Sequence, residues 1–159
     1  MKTLALLGIL AFAVLQLAPA PYELTKPAVD QKLSVAADPD APPEVLKVLR
    51  RACMDCHSYE TNIPWYGRVA PSSWALAKDV TEARAAMNLS EWGVKSAAVH
   101  LALSAAACAD VRSGKMPKKQ YVLLHPEAAL SGADVEAVCG WSKAVMTAMA
   151  KKKAAARQP

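Results

Sequence analysis

Hydrophobic and polar positions divide the chain into segments of different character. Leu4 to Leu17 form an apolar run preceded by a single Lys2 and followed by Ala18-Pro19-Ala20. The run has no polar face, so it does not read as an amphipathic helix of a folded core. It is also shorter than the roughly 20 residues a comfortable membrane span needs. Residues 1–20 therefore read as an export signal or an N-terminal membrane anchor, with Pro21 a poor residue to follow a cleavage site. From Pro21 to Pro43 there are five prolines and no periodicity, which predicts an extended linker over 21–41.

Helical periodicity begins after it. Pro42 or Pro43 suits a first helical turn, with Val45, Leu49, Ala52 and Cys56 on one face. A loop from Ser58 to Pro71 precedes a second helix, capped by Ser72 or Ser73, with Leu76, Val80, Ala83 and Met87 inward and Asn88 at its close. Ser90-Glu91 opens a third helix reaching Gly114, whose inward stripe is Val94, Ala98, Leu101, Ala105 and Cys108. Lys115 to Leu130 reads as a long loop. Ser131 and Asp134 make a capping box for a last helix lined by Val135, Val138, Val145 and Met149. With no strand pattern and no internal repeat, the expectation is an all-α, cytochrome c-like bundle of about four helices over 42–150, followed by a basic disordered tail, 151–159.

Composition sharpens this picture. Hydrophobic residues make up 53% of the chain but aromatics only 6%, which suits small alanine-rich helices packed around something bulky, and a bound macrocycle could be that bulk. The formal net charge of +5 includes Lys151, Lys152, Lys153 and Arg157 of the tail, and no basic stripe interleaved with aromatics occurs elsewhere. That argues against nucleic acid and for acidic redox-partner proteins. An exported chain enters an oxidising compartment, where cysteines are bridged or ligated.

Two of the four cysteines explain themselves. Cys53-Met54-Asp55-Cys56-His57 is a C-x-x-C-H sequence, the signature of covalent haem attachment. Residues three apart share a helical face, so both thiols can reach the vinyl groups of one porphyrin while His57 serves as proximal iron ligand. With four Cys and three His in the chain, a chance match is on the order of one in a thousand. A thioredoxin-like pair would want a βαβ setting, and a zinc site a second ligand pair.

The second axial position decides between electron transfer and reaction with small molecules. Met116 leads, because it follows the helix end at Gly114 and precedes the stiffening Pro117. His125 in the same loop is its rival, or a brace for the loop, and an open site is the third option. Met87, Met146 and Met149 lie at helical spacing and read as core. His100 shares a row with Ser96 and Ser104 and reads as solvent-facing. Trp65 and Tyr66 are expected beside the haem, whereas Trp74 and Trp92 can equally be core. Cys108 and Cys139 fall on inward stripes of the third and fourth helices and read as a disulfide, with two separate buried thiols the alternative.

Taken together, Leu49 to His57, Pro64-Trp65-Tyr66, Val69-Ala70-Pro71, Trp74, Ser90-Glu91-Trp92, Gly114-Lys115-Met116-Pro117 and Leu124 to Ala128 resemble a bacterial haem-binding-domain family, small exported c-type cytochromes with one C-x-x-C-H. The resemblance implies an all-helical periplasmic domain carrying one haem c per chain, and implies no partner or substrate. Two functions follow from the residues: a single-electron carrier with His57 and Met116 on the iron, or a haem enzyme or gas or redox sensor with an open distal site. No distal acid–base pair, catalytic triad, phosphate loop or fixed carboxylate pair is visible, which favours the carrier.

Overall fold

The structure is a computed structural model that describes residues 1–18, 20 and 24–157. Among these residues every regular element is helical. The expected cleavage context at Pro19 and Pro21 lies outside the described residues, as do Gln158 and Pro159 of the tail.

Helix α1 (Lys2–Leu17) buries none of its residues. It meets the rest of the chain through Gln16, whose side chain accepts from Ala70 N at 2.9 Å and donates to Ala70 O at 3.2 Å. No helix among the described residues is long and apolar enough to cross a membrane.

The linker expected over 21–41 is corrected over its second half, which is part of the core. Ser34, Val35 and Ala41 are buried, and Val35–Ala37 form a 3₁₀ turn capped by Ser34. Leu33 O accepts from Gly93 N at 2.7 Å, and Asp38 accepts from the Trp92 indole N–H at 2.6 Å. Isolated buried residues in extended chain leave no period to read.

Helix α2 (Pro43–Ala52) starts as expected, with Pro43 at its first position, where a missing N–H costs nothing. It buries Val45, Val48, Leu49 and Ala52. Cys53 ends it and opens the single turn α3 (Met54–His57). Helix α4 (Ser72–Ala86) buries Ala77 and Val80. Ser72 does not cap it: its hydroxyl donates to Tyr66 O and Val69 O at 2.6 and 2.7 Å, closing the preceding loop instead.

The third predicted helix begins later than Ser90. Leu89–Val94 form a 3₁₀ turn, and Ser96 caps α5 (Ala97–Arg112) by accepting from Val99 N. Two N-cap signatures compete here, and the chain breaks at Lys95, in extended conformation, between them. The inward stripe is also rotated. Val94, Ala98 and Ala105 are exposed, and Ser104 and Val111 are buried, with the Ser104 hydroxyl donating to Leu101 O. A helix so rich in alanine offers little contrast from which to read a face. His100 is accordingly not solvent-facing: it stacks on Trp92 at 4.3 Å, and its Nε2 bonds Trp92 O at 2.7 Å.

The loop expected over 115–130 contains α6 (Lys119–Leu124) and a 3₁₀ turn at Pro126–Ala128, pieces too short to show a period. Helix α7 (Gly132–Ala155) carries the predicted capping box at Ser131 and Asp134 and buries Val138, Cys139, Trp141 and Val145. It continues beyond residue 150, so Lys151 to Ala155 are helical rather than disordered.

Helices α5 and α7 form the main pair, joined by the Cys108–Cys139 disulfide. Trp92 packs on Trp141 at 4.9 Å, joining the linker, α5 and α7 in one core. Because the disulfide spans 31 residues, Cys108→Ser with Cys139→Ser is expected to lower stability by about 3–4 kcal/mol in urea denaturation. A loss below about 1 kcal/mol would deny it that role.

Ser131 and Arg51 hold the Asp134 carboxyl below the usual range, the Ser131 backbone N–H contributing most. A depressed folded value stabilises above the unfolded value, and that contribution is lost as pH falls through the folded one. Asp134→Asn should therefore be less stable than wild type at pH 7, with the difference closing below about pH 4 in thermal melts.

Candidate functional site

Two hollows, of about 280 and 250 Å³, open where α2, α4, α5 and the Met116 loop face one another. Cys56 lies in the wall of the first and Cys53 in that of the second. Ala52, His57, Asp79, Ala83, Met116, Pro117 and Lys118 border both. The structure thus brings the Met116 thioether to the two thiols and the imidazole of the C-x-x-C-H turn, around one divided slot.

Local structure explains the placement. Cys53 N donates to Leu49 O and His57 N to Cys53 O, so the motif turns tightly off the end of α2. The His57 imidazole is fixed by a 3.0 Å bond between Nδ1 and Met87 O. A carbonyl only accepts, so Nδ1 carries the proton and Nε2 keeps its lone pair. Burial lowers the His57 pKa, which favours the neutral, ligand-competent ring. Burial also pushes the Cys53 thiol up to about 12 and the Cys56 thiol up to about 11, the second helped by Asp55 and Asp79. Thiols so raised are poor thiolate nucleophiles, unlike those of a C-x-x-C redox pair. Both are free.

Helix α4 presents Ala75, Asp79 and Ala83, four residues apart, and Leu76 beside them to the first hollow, and α5 adds Leu103, Ala106 and Ala107 to the second. Alanine keeps these helix faces low and leaves room for a flat group. The walls are mostly apolar, and two hollows divided by an imidazole and a thioether suit a planar macrocycle with a metal at its centre. Among the described residues no group of three or more His, Cys, Asp or Glu side chains is arranged to hold a bare metal ion.

Met116 is held from its N-terminal side by α5. Gly114, at φ +69°, turns the chain so that Lys115 N and Met116 N both donate to Asp110 O, at 3.0 and 3.1 Å. His125 lies outside both hollows. Its Nε2 pairs with the Tyr66 hydroxyl at 2.9 Å and its Nδ1 with Glu127 at 3.1 Å, and its ring stacks on Tyr121. Both nitrogens serve the loop. Tyr66 borders the first hollow, but Trp65 is 77% exposed and meets only the edge of Tyr66. Trp74 borders neither hollow, and Trp92 is core.

The sequence reading missed the Met87 carbonyl, since backbone carbonyls leave no mark in a sequence. It also missed Tyr121, which borders the first hollow and donates to Asp55 at 2.8 Å. Burial and that bond raise the Tyr121 pKa, so its hydroxyl stays protonated. Asp55 also accepts from Asn62 N at 2.9 Å, so the second variable position of the C-x-x-C-H turn ties two loops to it.

The chain matches the haem-binding domain family over residues 10–144 and belongs to it. No curated protein and no solved structure matches it. Membership supports a haem cofactor, and the mostly apolar slot beside the C-x-x-C-H turn is the candidate place for it.

If the haem occupies this slot, Ala83→Phe should fill it. The variant is expected to keep its helical circular dichroism and lose at least about tenfold of its bound haem in a pyridine haemochrome assay. Full haem content would place the cofactor elsewhere.

Proposed function

We propose that the protein is an exported monohaem c-type cytochrome that carries single electrons. The observation that supports this best is the shared wall of the two hollows: His57 and Met116 border both, with one motif thiol on each. The Cys53 and Cys56 thiols would hold the haem as thioethers, S–H adding across a vinyl C=C with no atom lost. His57, aligned by Met87 O, would hold the iron through Nε2, and Met116 would hold it through its thioether. The chemistry a haem supplies in such a slot is one-electron exchange between ferric and ferrous iron. Thioether ligation favours the ferrous state, and the apolar walls keep water from the site.

The carrier is favoured over a haem enzyme or sensor by what the polar groups beside the slot do. Tyr66 and Tyr121 are engaged by His125 and Asp55, and His125 by Glu127. None stands free as the acid–base group that oxygen or peroxide handling requires. Residues 1–20 would export the chain to a periplasm, where the disulfide persists and haem is attached. Acidic redox proteins would be its partners, with association weakening as salt rises.

Optical spectra test the ligand set. The oxidised protein should show the weak far-red sulfur-to-iron band, lost in Met116→Ala and kept in His125→Ala. A high-spin wild type without the band would overturn Met116 ligation and favour an open distal site.

A further inference from the structure

The ligand loop is held from its C-terminal side by a contact that the haem reading does not use. Lys118 Nζ lies 2.7 Å from Asp79 Oδ1, joining the loop beyond Pro117 to the middle of α4. The two side chains come from elements 39 residues apart and both border both hollows. On the other side, Asp110 O receives Lys115 N and Met116 N, and Lys115 Nζ pairs with the Asp110 carboxylate at 3.1 Å. Met116 therefore sits between two ties, one to α5 and one across the slot to α4. The α5 tie is largely backbone. The α4 tie is a single ion pair of half-exposed side chains.

We propose that the Asp79–Lys118 ion pair is a latch across the slot, and that these two positioning residues hold the Met116 thioether on the iron against displacement by other ligands. The inference rests on the reading of Met116 as axial ligand. Opening the latch frees the short stretch from Met116 to Lys118 to shift, while α5 keeps its own tie and α6 stays held by the Tyr121–Asp55 bond. An added ligand captures that open state, so its apparent affinity reports how often the loop opens. A half-exposed pair is modest in strength and screened by salt, which predicts a small effect that ionic strength removes.

The test is an imidazole titration of the oxidised, haem-loaded protein, followed by its optical spectrum, at about 0.01 M and about 1 M salt. Asp79→Asn should bind imidazole about two- to fivefold more tightly than wild type at low salt. Wild type should tighten by a similar factor at high salt, Asp79→Asn should show no such change, and Asp79→Glu should return to wild-type behaviour. Equal affinities of Asp79→Asn and wild type at low salt, or equal salt dependence, would overturn the latch. If Asp79→Asn fails to load haem, Lys118→Gln and the wild-type salt series decide in the same way. Failure of the underlying reading is distinguishable: wild type then lacks the far-red band, and Met116→Ala leaves imidazole affinity unchanged.

Discussion

The bond between His57 Nδ1 and the Met87 carbonyl is the interaction on which the site depends. It fixes the tautomer, leaves Nε2 as the nitrogen with a lone pair, and joins the motif turn to the end of α4. Without it the imidazole could rotate away from the slot and from the two thiols beside it. Met87 reaches this position because α4 ends at Ala86, so that Met87 O is not consumed by a further helical turn.

Around that bond the fold solves a packing problem. A flat group between helices requires low helix faces on the slot side and large side chains elsewhere. The chain places alanines of α2, α4 and α5 along the slot and concentrates bulk in Trp92, Trp141 and Leu89, which border neither hollow. Trp92 is the joint of that second region, bonded to Asp38, stacked on His100 and packed on Trp141. The disulfide locks α5 to α7 beside the second hollow, which Ala107 and Val138, the neighbours of its cysteines, help to line.

The helical class, the start of α2, the α7 capping box and the motif turn could be read because each rests on a local rule: a proline at a first turn, a reciprocal cap, cysteines three apart. The start and the buried face of α5 could not, since Ser90 and Ser96 are equally good caps and alanine on every face hides the period. Burial of Ser34, Val35 and Ala41 goes with contacts of their neighbours to Trp92 and Gly93, more than 50 residues away, and no local rule reaches that far. The same division holds in the site. Cys53, Cys56, His57 and Met116 are candidates from spacing and loop position alone, and all four border the hollows. Tyr121, the Met87 carbonyl and the Asp79–Lys118 pair depend on which elements meet in space. Trp65 was placed beside the haem from its nearness in sequence, and the 3₁₀ turn at Trp65–Arg68 leaves Tyr66 at the slot and Trp65 exposed.

The central claim is that one haem is bound covalently by the motif cysteines. Its most direct test is mass spectrometry of the denatured protein after expression with a haem-maturation system, followed by proteolysis. The account predicts a chain heavier by one haem, with the added mass on the peptide that holds Cys53, Cys56 and His57. A denatured chain at the mass of the polypeptide alone, from a preparation that contained haem before denaturation, would contradict it.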